Sequence, residues 1–175
     1  PNKPLKLINK KEMILHVYDS AKNSNVGKVV VATPDYKIFD LIKNHNGTAV
    51  LTSDKHETGT DRVFEVFEKE LKFTPEIIIN FQGDMPNLNP QAIKNLAEHM
   101  KKNLCDIGTL ASCIENDHEE KNPNVVKVIA ENDIKNKSFS KAVDFFRISN
   151  EPLSKFTYHH VGIYAFTNKA LMRYV

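Results

Sequence analysis

The stretch I-I-I-N-F-Q-G-D-M-P-N-L-N-P, residues 77 to 90, fixes the reading of the chain. Three isoleucines run without alternation, as in a strand covered on both faces. The run ends in Gln82-Gly83-Asp84, and Asn89-Pro90 then opens a new segment. Asparagine is a good helix N-cap and proline suits the first helical position. The stripe Ile93, Leu96, Ala97 and Met100 that follows has helical period. A covered strand therefore passes through a glycine and a carboxylate into a helix.

The same alternation recurs on either side. Upstream, Lys28 to Thr33 and Thr48 to Thr52 read as strands. Helical stripes flank them at Met13, Ile14, Val17, Tyr18 and Ala21, at Ile38, Leu41 and Ile42, and at Val63, Val66, Phe67 and Leu71. Strand and helix alternating at this spacing predict a mostly parallel sheet with helices on both faces. The second half changes character. Ile107 to Ile114, Val125 to Ala130 and His160 to Phe166 read as strands, with helices expected only at Glu115 to Glu120 and Asn168 to Val175. The sheet should become mixed there, and residues 131–158 should form a polar, irregular excursion.

Composition sets the bounds. The 175 residues suit one domain, with 41% hydrophobic and 26% charged residues, an ordinary globular balance. The net charge of +2 and the scattered lysines give no footprint for nucleic acid. No apolar run reaches the roughly 20 residues of a membrane span, and no leader is recognisable, so a cytoplasmic protein is expected. Two cysteines are too few for a disulfide framework; Cys113 is expected as a small core residue.

In open α/β sheets ligands bind beyond the carboxyl ends of the strands. Asp84 falls at that edge and suits a hard cation such as magnesium, which keeps waters and shares substrate phosphates. Gly83 allows close backbone approach, and Gln82 offers both a donor and an acceptor. The stretch alone leaves open that Gly83-Asp84 is only a solvated turn. A second segment, His56-Glu57-Thr58-Gly59-Thr60-Asp61-Arg62, precedes a helix. A helix N-terminus favours anions, so Arg62 is electrostatically misplaced there unless an anion offsets it. The alternative is a plain cap in which Asp61 and Glu57 balance Arg62. A nucleotide with its metal would satisfy both segments.

The order of motifs resembles 3-deoxy-manno-octulosonate (KDO) cytidylyltransferases. It runs Pro1-Asn2-Lys3-Pro4-Leu5, Lys11 to Val17, Val31-Ala32-Thr33, Thr58 to Arg62, Gln82 to Pro86, Asn122 to Val128, Phe139-Ser140-Lys141 and His160 to Tyr164. The resemblance covers essentially the whole chain. It implies a three-layer α/β/α, nucleotide-diphospho-sugar-transferase-like (Rossmann-like) fold. It also implies transfer of CMP from CTP to KDO with release of pyrophosphate, for lipopolysaccharide synthesis in Gram-negative bacteria, by a homodimer. By resemblance Asp84 holds magnesium, Gln82 is catalytic and faces sugar or nucleotide, and Lys3, Thr58, Gly59 and Arg62 serve the nucleotide. Lys141 and His160 would fix the sugar carboxylate; without the resemblance, His160 reads as a strand histidine satisfied by backbone. His159 is read as surface and Lys127 as a strand-edge lysine.

Departures accompany the likeness. Pro34 stands where the family has aspartate, with Asp35 next; Met85 replaces a glutamate; Lys141 replaces an arginine and loses its planar fork. The family's Ile-Pro is missing around Ala142 to Arg147, which leaves Phe145 and Phe146 as apolar interface candidates. The family's first strand and phosphate loop would precede Pro1, and a further section with a second metal-binding aspartate would follow Val175. On that reading residues 1–175 alone are expected to be weak or inactive. The rival readings are a cytidylyltransferase for another acid sugar such as sialic acid, and a non-catalytic nucleotide-binding domain of the same fold.

Overall fold

The computed structural model describes residues 3–70, 75–137, 139–149 and 152–175. Pro1, Asn2 and Leu71, named above, lie outside them. Two compact units emerge, residues 1–108 with 163–175, and residues 109–162.

The first unit opens with a 3-10 turn at Lys3–Leu5 and a small antiparallel hairpin, β1 (Leu7–Ile8) and β2 (Lys11–Glu12). Asn9 and Lys10 at its tip have φ of 50° and 65°, the left-handed pair that a tight two-residue hairpin demands. Helix α1 (Met13–Asn23) follows directly. Strand β3 (Val31–Thr33) pairs parallel with β4 (Ala49–Leu51), joined by α2 (Tyr36–Asn44). Helix α3 (Gly59–Glu70) leads to β5 (Ile77–Asn80), and α4 (Pro90–Asn103) comes next. Asn89 caps α4 by accepting from Gln91 N–H at 2.9 Å, with Pro90 at its first position, as its sequence requires.

The core follows the helical stripes. Ile14, Leu15 and Tyr18 of α1 pack with Ile38 and Ile42 of α2 and Ala49 of β4. Ile78 of β5 packs with Phe166 and Leu171, against Val63, Phe64 and Phe67 of α3. Phe166 belongs to β9 (Thr157–Thr167) and Leu171 to the final helix, α7 (Asn168–Tyr174). Residues 164–167 of β9 pair antiparallel with β5.

In the second unit α5 (Asp117–Lys121) precedes β7 (Lys127–Ala130). Strand β7 pairs antiparallel with the first residues of β9 and with β8 (Ala142–Phe146). Strand β6 (Ile107–Ser112) also pairs with β9. Strand pairing therefore turns from the parallel β3–β4 ladder of the first half to antiparallel ladders in the second, the change of character that the sequence led one to expect. The excursion is more regular than its polarity suggested, because it holds β8 and the short α6 (Ile134–Lys137). Its sequence hides the strand because the first four β8 residues are exposed and only Phe146 is half-buried.

Three expectations are corrected. Cys113 is exposed, beyond the end of β6, and is not a core residue. Lys127 is fully buried: its Nζ donates to the carbonyls of Asn122 (2.9 Å) and Arg147 (2.8 Å). His159 is not bare surface, since its Nδ1 meets the Glu119 carboxylate.

Candidate active site

The segment between β4 and α3 is built around reciprocal hydrogen bonds. Asp61 N–H donates to Thr58 Oγ1 at 3.2 Å, and Thr58 N–H donates to Asp61 Oδ2 at 3.0 Å. This is a capping box with aspartate in the acidic position. It occupies Asp61, so the carboxylate is spent on the cap. Arg62 instead donates from one guanidinium nitrogen to Thr52 Oγ1 and to the Ser53 carbonyl, both at 2.7 Å. No carboxylate pairs with Arg62 among the described residues. The cap of the plain alternative is therefore present, with the Asp61 carboxylate in it; the guanidinium, bonded to a hydroxyl and a carbonyl, still offers its positive charge to an anion.

The adjoining loop is held by Glu65, one turn further along α3. Its carboxylate accepts from Ser53 N–H at 3.0 Å, meets His56 Nε2, and lies 3.4 Å from Lys69 Nζ. The hydrogen bond from His56, then that from Ser53, lowers the Glu65 pKa to about 2. Sequence reading missed this pair, although a histidine and a glutamate flanking a glycine-containing turn was an available signal.

Strand β5 brings the second half of the site. Asn80 is buried and donates from Nδ2 to Thr60 Oγ1 at 3.1 Å, tying the end of β5 to the start of α3. It too was missed; a lone amide closing an isoleucine run was the clue. Beyond it Gln82 is exposed. A Cβ on Gly83 would sit 2.9 Å from Ile14 Cδ1, the end of a side chain of α1, so the glycine lies in close contact with that helix. Asp84 Oδ2 accepts from Lys3 Nζ at 2.8 Å, which joins two of the sequence candidates directly.

Gly59, Arg62, Gln82 and Gly83 line one cavity of about 740 Å³, with Pro4 beside Lys3 also on its wall. Lys3, Thr58 and Asp84 are not on that wall; they lie in the same unit, Lys3 and Asp84 as an exposed pair and Thr58 as the cap of α3. Asp35, the possible stand-in for a family aspartate, caps α2 by accepting from Lys37 N–H at 2.8 Å.

The sugar-side candidates lie in the second unit. His160 is buried; its Nε2 is 2.9 Å from Thr109 Oγ1 and its ring meets Phe145 edge-on at 5.1 Å. Burial, and then the neighbouring His159, lowers its pKa. A neutral imidazole bonded to a hydroxyl has the structural character that the sequence alone suggested, with threonine as partner where backbone was expected. Lys141 is exposed beside β8, and its carbonyl accepts from Glu131 N–H.

A family model described as cytidylyltransferase matches residues 1–175. The chain belongs to the cytidylyltransferase family. A 3-deoxy-manno-octulosonate cytidylyltransferase of Brucella anthropi is 36% identical over all of this chain and 70% of its own length. The Brucella abortus protein of the same name is 37% identical with the same coverage. Among solved structures, CMP:2-keto-3-deoxy-manno-octonic acid synthetase complexed with CTP superposes with a TM-score of 0.85 at 34% identity. That match covers 99% of this chain and 70% of the other. The 4-diphosphocytidyl-2C-methyl-D-erythritol synthase of Anaerococcus prevotii, at 12% identity and a TM-score of 0.65, shares the fold alone. The α/β architecture of this cytidylyltransferase chain is therefore that of nucleotidyltransferases. No helix among the described residues is long and apolar enough to cross a membrane.

Proposed function

We propose that this cytidylyltransferase moves CMP from CTP to KDO, giving CMP-KDO and pyrophosphate for lipopolysaccharide synthesis in the cytoplasm. One observation carries the reading. In a chain 36% identical to a KDO cytidylyltransferase, the Asp84–Lys3 pair, exposed Gln82 and an Arg62 with no carboxylate partner among the described residues belong to one unit. In the reaction the anomeric hydroxyl attacks the α-phosphorus, and the bond to the β-phosphate oxygen breaks. Such a displacement is accelerated by positioning and by neutralising phosphate charge. Arg62 and the N–H groups at the start of α3 would bind anionic oxygen, and Lys3 would add a second cation. Gln82 can donate to and accept from a base or sugar edge.

The donor set suits magnesium in one specific manner. Among the described residues no three His, Cys, Asp or Glu side chains gather as a cage. A single exposed carboxylate is what a magnesium shared with substrate phosphates uses. Asp84 would hold that ion, with Lys3 giving way on Oδ2; when bound, it would lower the pKa of the attacking hydroxyl. Lys141 and His160 are the proposed sugar-side residues. The exposed Val143 and Phe145 of β8, with Ile148 beyond, are the proposed contact of a homodimer.

The test is pyrophosphate release with CTP, magnesium and a panel of acid sugars. Turnover with KDO and CTP is expected, at a low rate from residues 1–175 alone. Turnover with sialic acid in place of KDO would transfer the reading to that substrate. CTP binding without turnover on any acid sugar would leave a nucleotide-binding domain.

A further inference from the structure

Arg62 and Glu65 stand three positions apart on α3, the spacing at which opposite charges on a helix meet. Both are described residues, yet they form no ion pair. Arg62 gives one guanidinium nitrogen to Thr52 Oγ1 and to the Ser53 carbonyl. The Glu65 carboxylate turns instead to Ser53 N–H and His56 Nε2, both on Oε2, while Lys69 Nζ lies 3.4 Å from Oε1.

Ser53 thus stands between the two charges, its N–H on the carboxylate and its C=O on the guanidinium. Its hydroxyl is engaged as well, accepting from Lys55 N–H at 3.1 Å. The other acceptor of Arg62 is anchored by the sheet, since Thr52 N–H donates to the Thr33 carbonyl of β3 at 3.0 Å. One residue further, Ser53 is exposed and past the end of β4, so its main chain depends on Glu65. Surface connections move unless something ties them down. His56 and Glu65 are themselves well covered, with side chains 20% and 15% exposed. The bond from His56, then that from Ser53, gives Glu65 a pKa of about 2, so it stays ionised at neutral pH. A permanent negative charge therefore lies within one helical turn of Arg62.

Taking Arg62 to bind the nucleotide anion, as read above, we propose that His56 is a positioning residue for it. By holding the Glu65 carboxylate against Ser53, His56 aims the guanidinium through the Ser53 carbonyl and keeps the nearby negative charge from neutralising it. His56 touches no substrate in this role. Without the imidazole, Glu65 is free to rotate onto Arg62, and the nucleotide then competes with an internal carboxylate.

The test is the dissociation constant for CTP with magnesium, measured on the protein and on variants shown by urea unfolding to be folded. Arg62→Ala should weaken binding about tenfold or more, the scale of one hydrogen bond to a charged group. His56→Phe keeps a ring but donates nothing, and should weaken binding about fivefold, the upper range for an ion pair near the surface. His56→Gln, whose amide can still donate to the carboxylate, should bind much as the unchanged protein does. Adding Glu65→Gln to His56→Phe should restore binding to within about twofold, because no charge is left to neutralise Arg62. Glu65→Gln alone should change it by less than about twofold. Should the phenylalanine prevent folding, His56→Ala takes its place with the same outcomes expected. A loss in His56→Phe that Glu65→Gln does not restore would make the histidine merely structural, and unchanged binding in His56→Phe would leave it no role. Either result overturns the proposal, while a weakened Arg62→Ala keeps the nucleotide reading standing. Unchanged binding in Arg62→Ala, or no CTP binding by the unchanged protein, would overturn that reading and the proposal with it.

Discussion

Replacing Asp84 by asparagine separates a functional carboxylate from a structural one. Its bond to Lys3 is 2.8 Å long, but the two side chains are 43% and 59% exposed. In water two unit charges at that distance attract by about 1.5 kcal/mol. Immobilising a lysine and screening by salt reduce this to about 0–1 kcal/mol, the range measured for exposed pairs. Asp84→Asn should therefore shift the melting temperature by less than about 4 °C in a chain of this size. Lys3→Met should do no more, and the double variant should show coupling below about 1 kcal/mol. Pyrophosphate release, by contrast, should fall at least about a hundredfold in Asp84→Asn, since charge stabilisation at the reacting phosphate is lost. Urea unfolding and a coupled pyrophosphate assay on the same preparations measure both quantities. Asp84→Asn with full activity would refute the reasoning. So would destabilisation beyond about 2 kcal/mol, because the carboxylate would then be a folding element.

Three further outcomes follow from the geometry. Thr60→Val removes the acceptor of the buried Asn80 amide at nearly constant shape and should cost about 1–3 kcal/mol in urea unfolding. Glu65 has a folded pKa of about 2 against an ordinary 4.5, so its contribution is complete above pH 4.5 and lost as pH falls through about 2. The stability gap between the protein and Glu65→Gln, read from urea midpoints, should accordingly shrink as pH falls below 4.5; a gap that stays constant down to about pH 2 contradicts the pairing. Gly47→Ala would put a Cβ 2.6 Å from Ile42 Cγ2 and 2.9 Å from the Ile42 carbonyl, so overpacking of about 1–3 kcal/mol should lower the melting temperature.

Much of the first unit was legible because its signals are local. The isoleucine run, the Asn89-Pro90 cap and the i, i+3, i+4 stripes each specify an element within a dozen residues, and α4 and β5 lie where they pointed. Asp84 and Arg62 were legible as chemistry out of place: a carboxylate ending a covered strand and a cation at a helix start. What escaped depends on distant partners. Lys127 is buried because carbonyls of Asn122 and of Arg147, on either side of it in sequence, receive its ammonium. Glu119 reaches His159 across 40 positions. Strand β8 escaped because its five residues, exposed but for half-buried Phe146, stand within a long polar segment where so short a run gives little pattern.

The most direct test of the central claim is an amide-resolved NMR titration of the chain with CTP and magnesium. The largest shifts should fall on Gly59, Thr60, Arg62, Gln82, Gly83 and Asp84, and should weaken in Asp84→Asn. Shifts centred elsewhere, or identical in the asparagine variant, would contradict the assignment of this rim to the nucleotide.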